Sequence, residues 1–127
     1  MIYKQEEHEL EVKEKWGQTQ AYKEYESKTL NYSNDKWSSI NELMNNIFKD
    51  FSIYMNNGES PSSIIVQDLV KNLQNHISEN YYHCTNEILF GLGQMYVQDE
   101  RFKKNIDKYS EGTALFVCEA IKVYCDR

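Results

Sequence analysis

The stretch "SNDKWSSINELMNNIFKDFSIYMN", Ser33 to Asn56, decides the fold. Its apolar side chains recur at spacings of three and four, so one face of a helix carries Trp37, Ile40, Met44, Ile47, Phe51 and Met55. Ser33 has the position and the hydroxyl of a helix N-cap. This segment therefore predicts a long helix that packs against a core.

The rest of the C-terminal two thirds also reads as helical. "NNGESP" (56–61) predicts a turn in which Gly58 terminates the first helix and Pro61 suits the first turn of the next, which is expected to run to about Glu79. Further helix boundaries are predicted at Thr85, Asp99 and Gly112. No stretch alternates with period two for long enough to form a strand. The sequence predicts an all-α domain with about five packed helices.

The first 32 residues differ from this pattern. Glu, Lys and Gln dominate residues 1–15, and a helical stripe of hydroxyl-bearing side chains follows at Tyr22, Tyr25, Thr29 and Tyr32. Such a face buries too little aliphatic surface to offset its ordering entropy securely. Within a single domain (1–127), we expect residues 1–32 to form a weakly held, mobile helical lid and residues 33–127 to form the packed core.

Composition narrows the class of function. The 127 residues carry a net charge of −6, which argues against unaided binding to nucleic acid or to an anionic membrane. No signal peptide and no membrane-spanning apolar run is expected. The three cysteines are an odd number without CxxC spacing, which is typical of reduced thiols in the cytoplasm.

The connection "NYYHC" (80–84) places a thiol immediately before the Thr85 cap. The free amides and the dipole of a helix N-terminus favour a thiolate, so a lowered pKa is predicted for Cys84. His83, Tyr81 and Tyr82 are its neighbours in sequence. Two interpretations compete: a buried structural cysteine, or a nucleophile that faces an apolar ligand.

His76 follows Leu69 and Leu73 on the apolar face of its predicted helix. It is expected to be neutral or paired, because burying a charge is costly. Three interpretations compete: a core histidine bonded to a carbonyl or a tyrosine hydroxyl, a polar anchor in a ligand pocket, or an axial haem ligand.

Motifs for catalysis and for resident metals are missing from the sequence. His76, His83 and Cys84 have no carboxylate at a recognised spacing, so no metal site is predicted. The chain has no GxSxG, HExxH or phosphate-binding glycine loop. We therefore expect a protein that is not an enzyme and has no cofactor.

Three stretches together resemble one family: "KEKWGQTQAYKEY" (13–25), "SNDKW" (33–37) and "NHISENYYHCTNEILFGLGQMYVQDERF" (75–102). They are similar to the TipAS-type antibiotic-recognition domain, an effector domain of MerR-family activators that also occurs as a stand-alone drug-binding protein. The loop departs from the family pattern, in which proline often precedes the cysteine and recurs two residues after it. This chain has His83 and Asn86 there.

The resemblance implies a globin-like helical fold without haem and a pocket for bulky heteroaromatic antibiotics, notably thiopeptides. It also implies that the N-terminal helices close over the ligand and that the loop cysteine, Cys84, can add to a dehydroalanine. The residues expected to contact the ligand are Cys84, Tyr81, Tyr82, His76, Trp16, Tyr22, His83 and Tyr96.

Two functional forms fit this expectation: the effector part of a longer activator, or a drug-sequestering protein. In either form this chain would contact no DNA and no membrane, and it allows a homodimer. Two alternatives from other classes are a haem- or tetrapyrrole-binding sensor that uses His76, and a non-catalytic domain that recruits a protein through its aromatic front segment.

Overall fold

A computed structural model describes residues 19–126. It contains six helices, namely α1 (Gln20–Thr29), α2 (Asn34–Asn56), α3 (Ile64–Asn80), α4 (Asn86–Gln98), α5 (Glu100–Asp107) and α6 (Thr113–Cys125). Between residues 19 and 126 no segment is a strand. The all-α prediction with five packed helices, α2 to α6, is confirmed. The globin-like arrangement stays a prediction.

Short polar side chains begin five of the six helices, because each accepts a hydrogen bond from an amide that the first turn leaves free: Thr19, Ser33, Ser63, Thr85 and Asp99. The predicted caps at Ser33, Thr85 and Asp99 are confirmed. Helix α6 begins instead after Gly112, whose φ of 94° is a left-handed conformation that favours glycine.

The expected role of Pro61 is wrong. Helix α3 begins at Ile64 with Ser63 as its cap, so Pro61 lies in the preceding turn. Its carbonyl accepts a hydrogen bond from Nε2 of Gln67 at 2.8 Å, and the same nitrogen donates to the Ala120 carbonyl at 3.0 Å. Pro61 thereby helps to fix the start of α3 against α6.

Helix α6 is the centre of the core. Seven of its thirteen residues are buried, namely Thr113, Ala114, Phe116, Val117, Cys118, Ala120 and Ile121. Helix α4 packs closely on it at Gly93, where a Cβ atom would lie only 3.2 Å from Cδ1 of Ile121. The predicted core face of α2 is correct at Ile40, Met44 and Phe51. The predicted Ile47 and Met55 are half-buried and pack against the core, and Phe48, which the predicted stripe omitted, is also in the core.

Helix α1 is attached differently from the other five. It buries only Tyr22 and Tyr25, and its polar side chains reach the C-terminal end of α3 and the loop that follows. Trp16 and the other residues before Thr19 lie outside the described residues. From Thr19 to Asp126, no helix is long and apolar enough to cross a membrane.

Candidate functional site

The loop between α3 and α4, residues 81–85, is held tightly by main-chain and side-chain hydrogen bonds. Tyr81 N and Tyr82 N both donate to the Ile77 carbonyl, at 2.9 and 3.2 Å. The next amide but one, Cys84 N, donates to Oγ of Ser78 at 3.0 Å. The α3–α4 loop therefore continues the end of α3 in a fixed conformation that turns Cys84 inwards.

Cys84 is buried, with 2% of its surface exposed. Its sulfur lies 3.8 Å from the Thr85 carbonyl oxygen, to which the thiol donates. Burial, with a smaller electrostatic contribution from Cys125, raises the pKa of the Cys84 thiol to about 12. The predicted lowering of this pKa is wrong, because the sulfur points to a carbonyl and into the core instead of towards the free amides of α4.

Two tyrosines, Tyr82 and Tyr96, lie near the thiol, and Tyr81 lies near both of them. Burial is the main cause that raises the pKa of Tyr81, Tyr82 and Tyr96, and each phenol also feels its titratable neighbours. Tyr82 and Tyr96 both interact electrostatically with Cys84. The structure thus brings four of the predicted site residues together as a cluster of protonated, uncharged weak acids.

The ring of Tyr96 fixes the inner wall of this cluster. It lies edge-on to Phe48 of α2 at a centroid distance of 5.5 Å and packs against Phe102 of α5 at 5.9 Å. Three helices therefore position one phenol, and Tyr96 joins the site to the core.

His76 reaches the same region from α3. Its ring is edge-on to Tyr81, with the centroids 6.2 Å apart, and it is 8% exposed. Burial lowers the pKa of His76 and exceeds the opposing effects of the Ile40 backbone and Glu79, while Lys36 adds to the lowering. The expected burial of His76 is confirmed, and the lowered pKa favours its neutral form.

The two ring nitrogens of His76 have different surroundings. Nδ1 lies 3.2 Å from Nδ2 of Asn80, and the same amide donates to the His76 carbonyl at 2.9 Å. An amide donor at Nδ1 assigns the proton of the neutral ring to Nε2. Nε2 is buried without a hydrogen bond of good geometry among the described residues, and a weaker hydrogen-bonding interaction with the Ile40 backbone raises the pKa of the ring. The site thus contains one donor that is only weakly satisfied.

Helix α1 covers this region with aromatic rings. Tyr25 is stacked on Tyr81 with centroids 6.2 Å apart and an interplanar angle of 15°. Trp37 packs on the same Tyr81 ring at 6.1 Å, and Tyr32 packs edge-on against Trp37 at 5.3 Å. Between α1 and the α3–α4 loop, side chains of the protein therefore stack on one another.

Three polar contacts attach α1 and the residues after it. The Lys28 ammonium donates to the Ser78 carbonyl at 3.0 Å, and the Tyr32 hydroxyl donates to the Asn80 carbonyl at 2.8 Å. The amide of His83 donates to Glu24 at 2.9 Å. Because Ser78 and Asn80 lie in the last turn of α3, the first two bonds satisfy carbonyls that a helix end leaves free.

Some predicted site residues lie elsewhere. Tyr22 packs on Tyr25 with the ring centroids 6.2 Å apart, and its hydroxyl lies 3.4 Å from Glu26. The side chain of His83 is exposed. Tyr25, Tyr32 and Trp37 were not predicted as site residues, although the tyrosine stripe at helical spacing contained two of them.

A shallow, solvent-open groove of about 380 Å³ runs along α1, lined by Gln20, Lys23, Glu24, Ser27 and Lys28. Between residues 19 and 126, none of the predicted aromatic or thiol residues contributes to it.

The fold and the site together define a class: an all-helical domain whose interior carries an uncharged cluster of phenols, a thiol and an imidazole beneath a separately attached helix. The sequence then gives the family, because the pattern of the TipAS antibiotic-recognition domain matches residues 8–124. This chain belongs to the TipAS antibiotic-recognition domain family.

Comparisons with individual proteins agree. The chain is 36% identical over 114 residues to the HTH-type transcriptional activator TipA of Streptomyces coelicolor, covering 90% of this chain and 45% of TipA. It is 38% identical over 116 residues to the HTH-type transcriptional activator mta of Bacillus subtilis, covering 91% and 44%. The chain thus spans less than half the length of these relatives.

A solved structure has the same fold. TipAS from Streptomyces lividans, in complex with nosiheptide and described as part of a thiopeptide antibiotic multidrug resistance system, superposes with a TM-score of 0.89 at 33% identity. The alignment covers 99% of this chain and 88% of that one.

Proposed function

We propose that this chain binds thiopeptide-type antibiotics between α1 and the α3–α4 loop. Family membership supports this proposal, as does the nosiheptide complex of a relative with the same fold. The observation in this chain that carries it is the weakly satisfied Nε2 of His76 beside the stacked rings of Tyr25 and Tyr81.

His76 would act as a polar anchor. A buried donor with no partner at all costs about 1–3 kcal/mol, so a weakly satisfied one costs up to that amount, and a ligand acceptor such as an azole nitrogen or an amide carbonyl would reduce it. The surrounding phenols and thiol stay uncharged at neutral pH because burial raises their pKa values. An uncharged, acceptor-rich heteroaromatic ligand matches this environment.

The lid is the second part of the proposal. A large ligand can enter only if Tyr25 leaves Tyr81, which requires α1 to open. The rings that now stack on each other would then stack on the ligand, and α1 would close over it. Residues 1–32 are proposed as this lid and residues 33–127 as the core, so bound ligand should protect the amides of residues 1–32 from hydrogen exchange.

Cys84 is proposed as a covalent attachment point for dehydroalanine-containing ligands. The sulfur would bond to the alkene methylene carbon and the thiol proton would end on the α-carbon, with no leaving group and no change of redox state. With a pKa of about 12, roughly one Cys84 side chain in 100,000 is a thiolate at pH 7. Non-covalent binding must therefore precede a slow addition, with the bound geometry raising the effective concentration of the alkene.

We further propose that the chain acts as the effector part of a longer MerR-family activator in the cytoplasm, since the matched relatives are transcriptional activators more than twice as long as the matched region. It would catalyse no reaction, and other parts of such a protein would contact DNA. A stand-alone drug-sequestering protein is the second form of this proposal. A homodimer stays a prediction that sedimentation can test.

The decisive experiment is intact-mass measurement after incubation with a dehydroalanine-containing thiopeptide. A one-to-one adduct is expected that disappears in Cys84→Ser and persists in the matched variants Cys118→Ser and Cys125→Ser. Tryptophan fluorescence of Trp16 and Trp37 reports non-covalent binding, which His76→Leu should weaken about tenfold. Failure of the adduct alone would remove the covalent step, whereas failure of both adduct and fluorescence change would overturn the proposal.

The alternatives remain distinguishable. A Soret band after reconstitution that is lost in His76→Ala would favour the tetrapyrrole sensor. A melting temperature that no small molecule raises, together with protein binding through the aromatic front segment, would favour the recruitment domain.

A further inference from the structure

A second thiol, that of Cys125, contacts the start of α4 beside Cys84. The Cys84 thiol donates to the Thr85 carbonyl at 3.8 Å, and the Cys125 thiol donates to the Asn86 carbonyl at 3.4 Å. These carbonyls belong to consecutive residues of one helical turn, where neighbouring carbonyl oxygens are about 3–4 Å apart. Two sulfur atoms from distant parts of the sequence therefore approach the same turn.

One glutamine ties the two cysteine-bearing segments together. Nε2 of Gln74 donates to the Cys84 carbonyl at 2.9 Å and to Oδ1 of Asn86 at 2.8 Å. Its Oε1 accepts from the hydroxyl of Tyr124, the residue before Cys125, at 2.8 Å. The side-chain amide of Gln74 thus links the α3–α4 loop, the start of α4 and the end of α6.

Both cysteines lie outside the interior of a helix. Cys84 lies in a non-helical loop and Cys125 is the last residue of α6, so neither sulfur is held by the middle of a helix. Cys125 is half-buried and accessible to a small reagent, whereas Cys84 is buried. The third cysteine, Cys118, is buried and accepts from Nε2 of Gln94.

We propose that Cys84 and Cys125 form a reversible intramolecular disulfide by exchange with a low-molecular-weight disulfide of the glutathione class. The Cys125 thiolate attacks the reagent and releases one reduced thiol. The Cys84 thiolate then attacks the Cys125 sulfur of the mixed disulfide and releases the second. Both protein thiols are oxidised, one reagent disulfide is reduced, and the two protein protons end on the two released thiols.

The consequence for the ligand site rests on the proposed function. The disulfide would withdraw Cys84 from any electrophilic ligand but leave His76 and the aromatic rings unchanged. The oxidation state of Cys125 would therefore decide whether a captured antibiotic is held covalently or released by equilibrium dissociation.

The test uses three variants of the full chain with two cysteines each: Cys118→Ala, Cys125→Ala and Cys84→Ala. Each is titrated with oxidised glutathione in native buffer and its intact mass is measured. The Cys118→Ala protein should lose about 2 Da, the mass of two hydrogens, and retain no glutathione. The other two variants should form no internal disulfide.

Three results would overturn the inference: a glutathione adduct that persists on Cys125, a disulfide that forms only in denaturant, or a disulfide that forms equally well in all three variants. Because no antibiotic is present, these results do not bear on ligand binding. Conversely, a thiopeptide adduct that forms on reduced protein and is blocked only when the 84–125 disulfide is present would link the two proposals.

Discussion

Helices α1 and α6 pack on the rest of the domain through opposite kinds of contact. Helix α6 buries seven of its thirteen residues among apolar neighbours, whereas α1 buries two tyrosines and holds on through an ammonium group, a carboxylate and stacked rings. Apolar burial is lost only when the whole fold opens, while stacked rings and exposed hydrogen bonds can open locally. Helix α6 therefore stabilises the whole fold, whereas α1 can open locally.

The largest expected effect is in the core. Ile121→Ala removes a fully buried side chain that packs on Gly93, so it should lower the free energy of unfolding by about 3 kcal/mol. Urea denaturation measures this loss. Leu115→Ala, on the exposed side of the same helix, is the matched control and should change stability little.

Tyr25→Ala tests whether α1 opens independently. Loss of a 93% buried ring that stacks on Tyr81 should weaken the docking of α1 by about 2 kcal/mol, because both burial and stacking are removed. Hydrogen exchange should accelerate in α1 and stay unchanged in α6. Equal acceleration in both helices would show that they unfold as one unit and that α1 does not open independently. Ser27→Ala, at an exposed position of α1, is the control.

The buried histidine predicts a pH dependence. The pKa of His76 is lowered in the folded state, so the unfolded chain takes up the proton more readily. Stability is therefore retained above the unfolded pKa of about 6.5 and falls as the pH drops below it, by at most about 1.4 kcal/mol per pH unit for this single proton. Urea midpoints between pH 7.5 and 5 should show this slope, and His76→Leu should reduce it.

The smallest expected effect concerns Lys28 of α1, whose ammonium group lies at the C-terminal end of α3. Lys28→Gln removes a positive charge that donates to the Ser78 carbonyl, where the helix dipole is negative, and should weaken α1 docking by about 0.5 kcal/mol. Hydrogen exchange of α1 at low salt measures the change, and added salt should diminish it. Lys23→Gln removes the same charge from an exposed position of α1 without a contact to α3, so an equal effect there would show that net charge is responsible.

Sequence periodicity was sufficient for the fold but not for the site. Repeats of three and four located the helices, and a hydroxyl or carboxylate before an apolar run located the caps at Ser33, Thr85 and Asp99. These signals are local. The contact of Gln67 with Ala120 is not local, since it joins α3 to α6. The start of α3 was placed one turn too early because Pro61 was preferred to Ser63, although Ser63 offered the same kind of local cap signal.

In the candidate site, too, local signals predicted some features and missed those that depend on the tertiary structure. The resemblance and the order of residues brought Tyr81, Tyr82 and Cys84 into one cluster, and helical spacing indicated that His76 is buried. The pKa of Cys84 could not be predicted, because proximity to a helix N-terminus in sequence does not fix the direction of the sulfur. The pairing of Cys84 with Cys125 depends on Gln74, which no motif singles out.

At the end of α3, Ser78 and Asn80 use their main chain for one set of contacts and their side chains for another. The main-chain oxygens of Ser78 and Asn80 hold Lys28 and Tyr32, while their side chains support the site by bonding to the Cys84 amide and to His76. Every amino acid supplies a carbonyl oxygen, so substitutions at 78 and 80 can change the surroundings of Cys84 and His76 without removing the attachment of α1. Under the proposed function, such a division would let ligand specificity diverge during evolution, or be redesigned, while α1 stays attached.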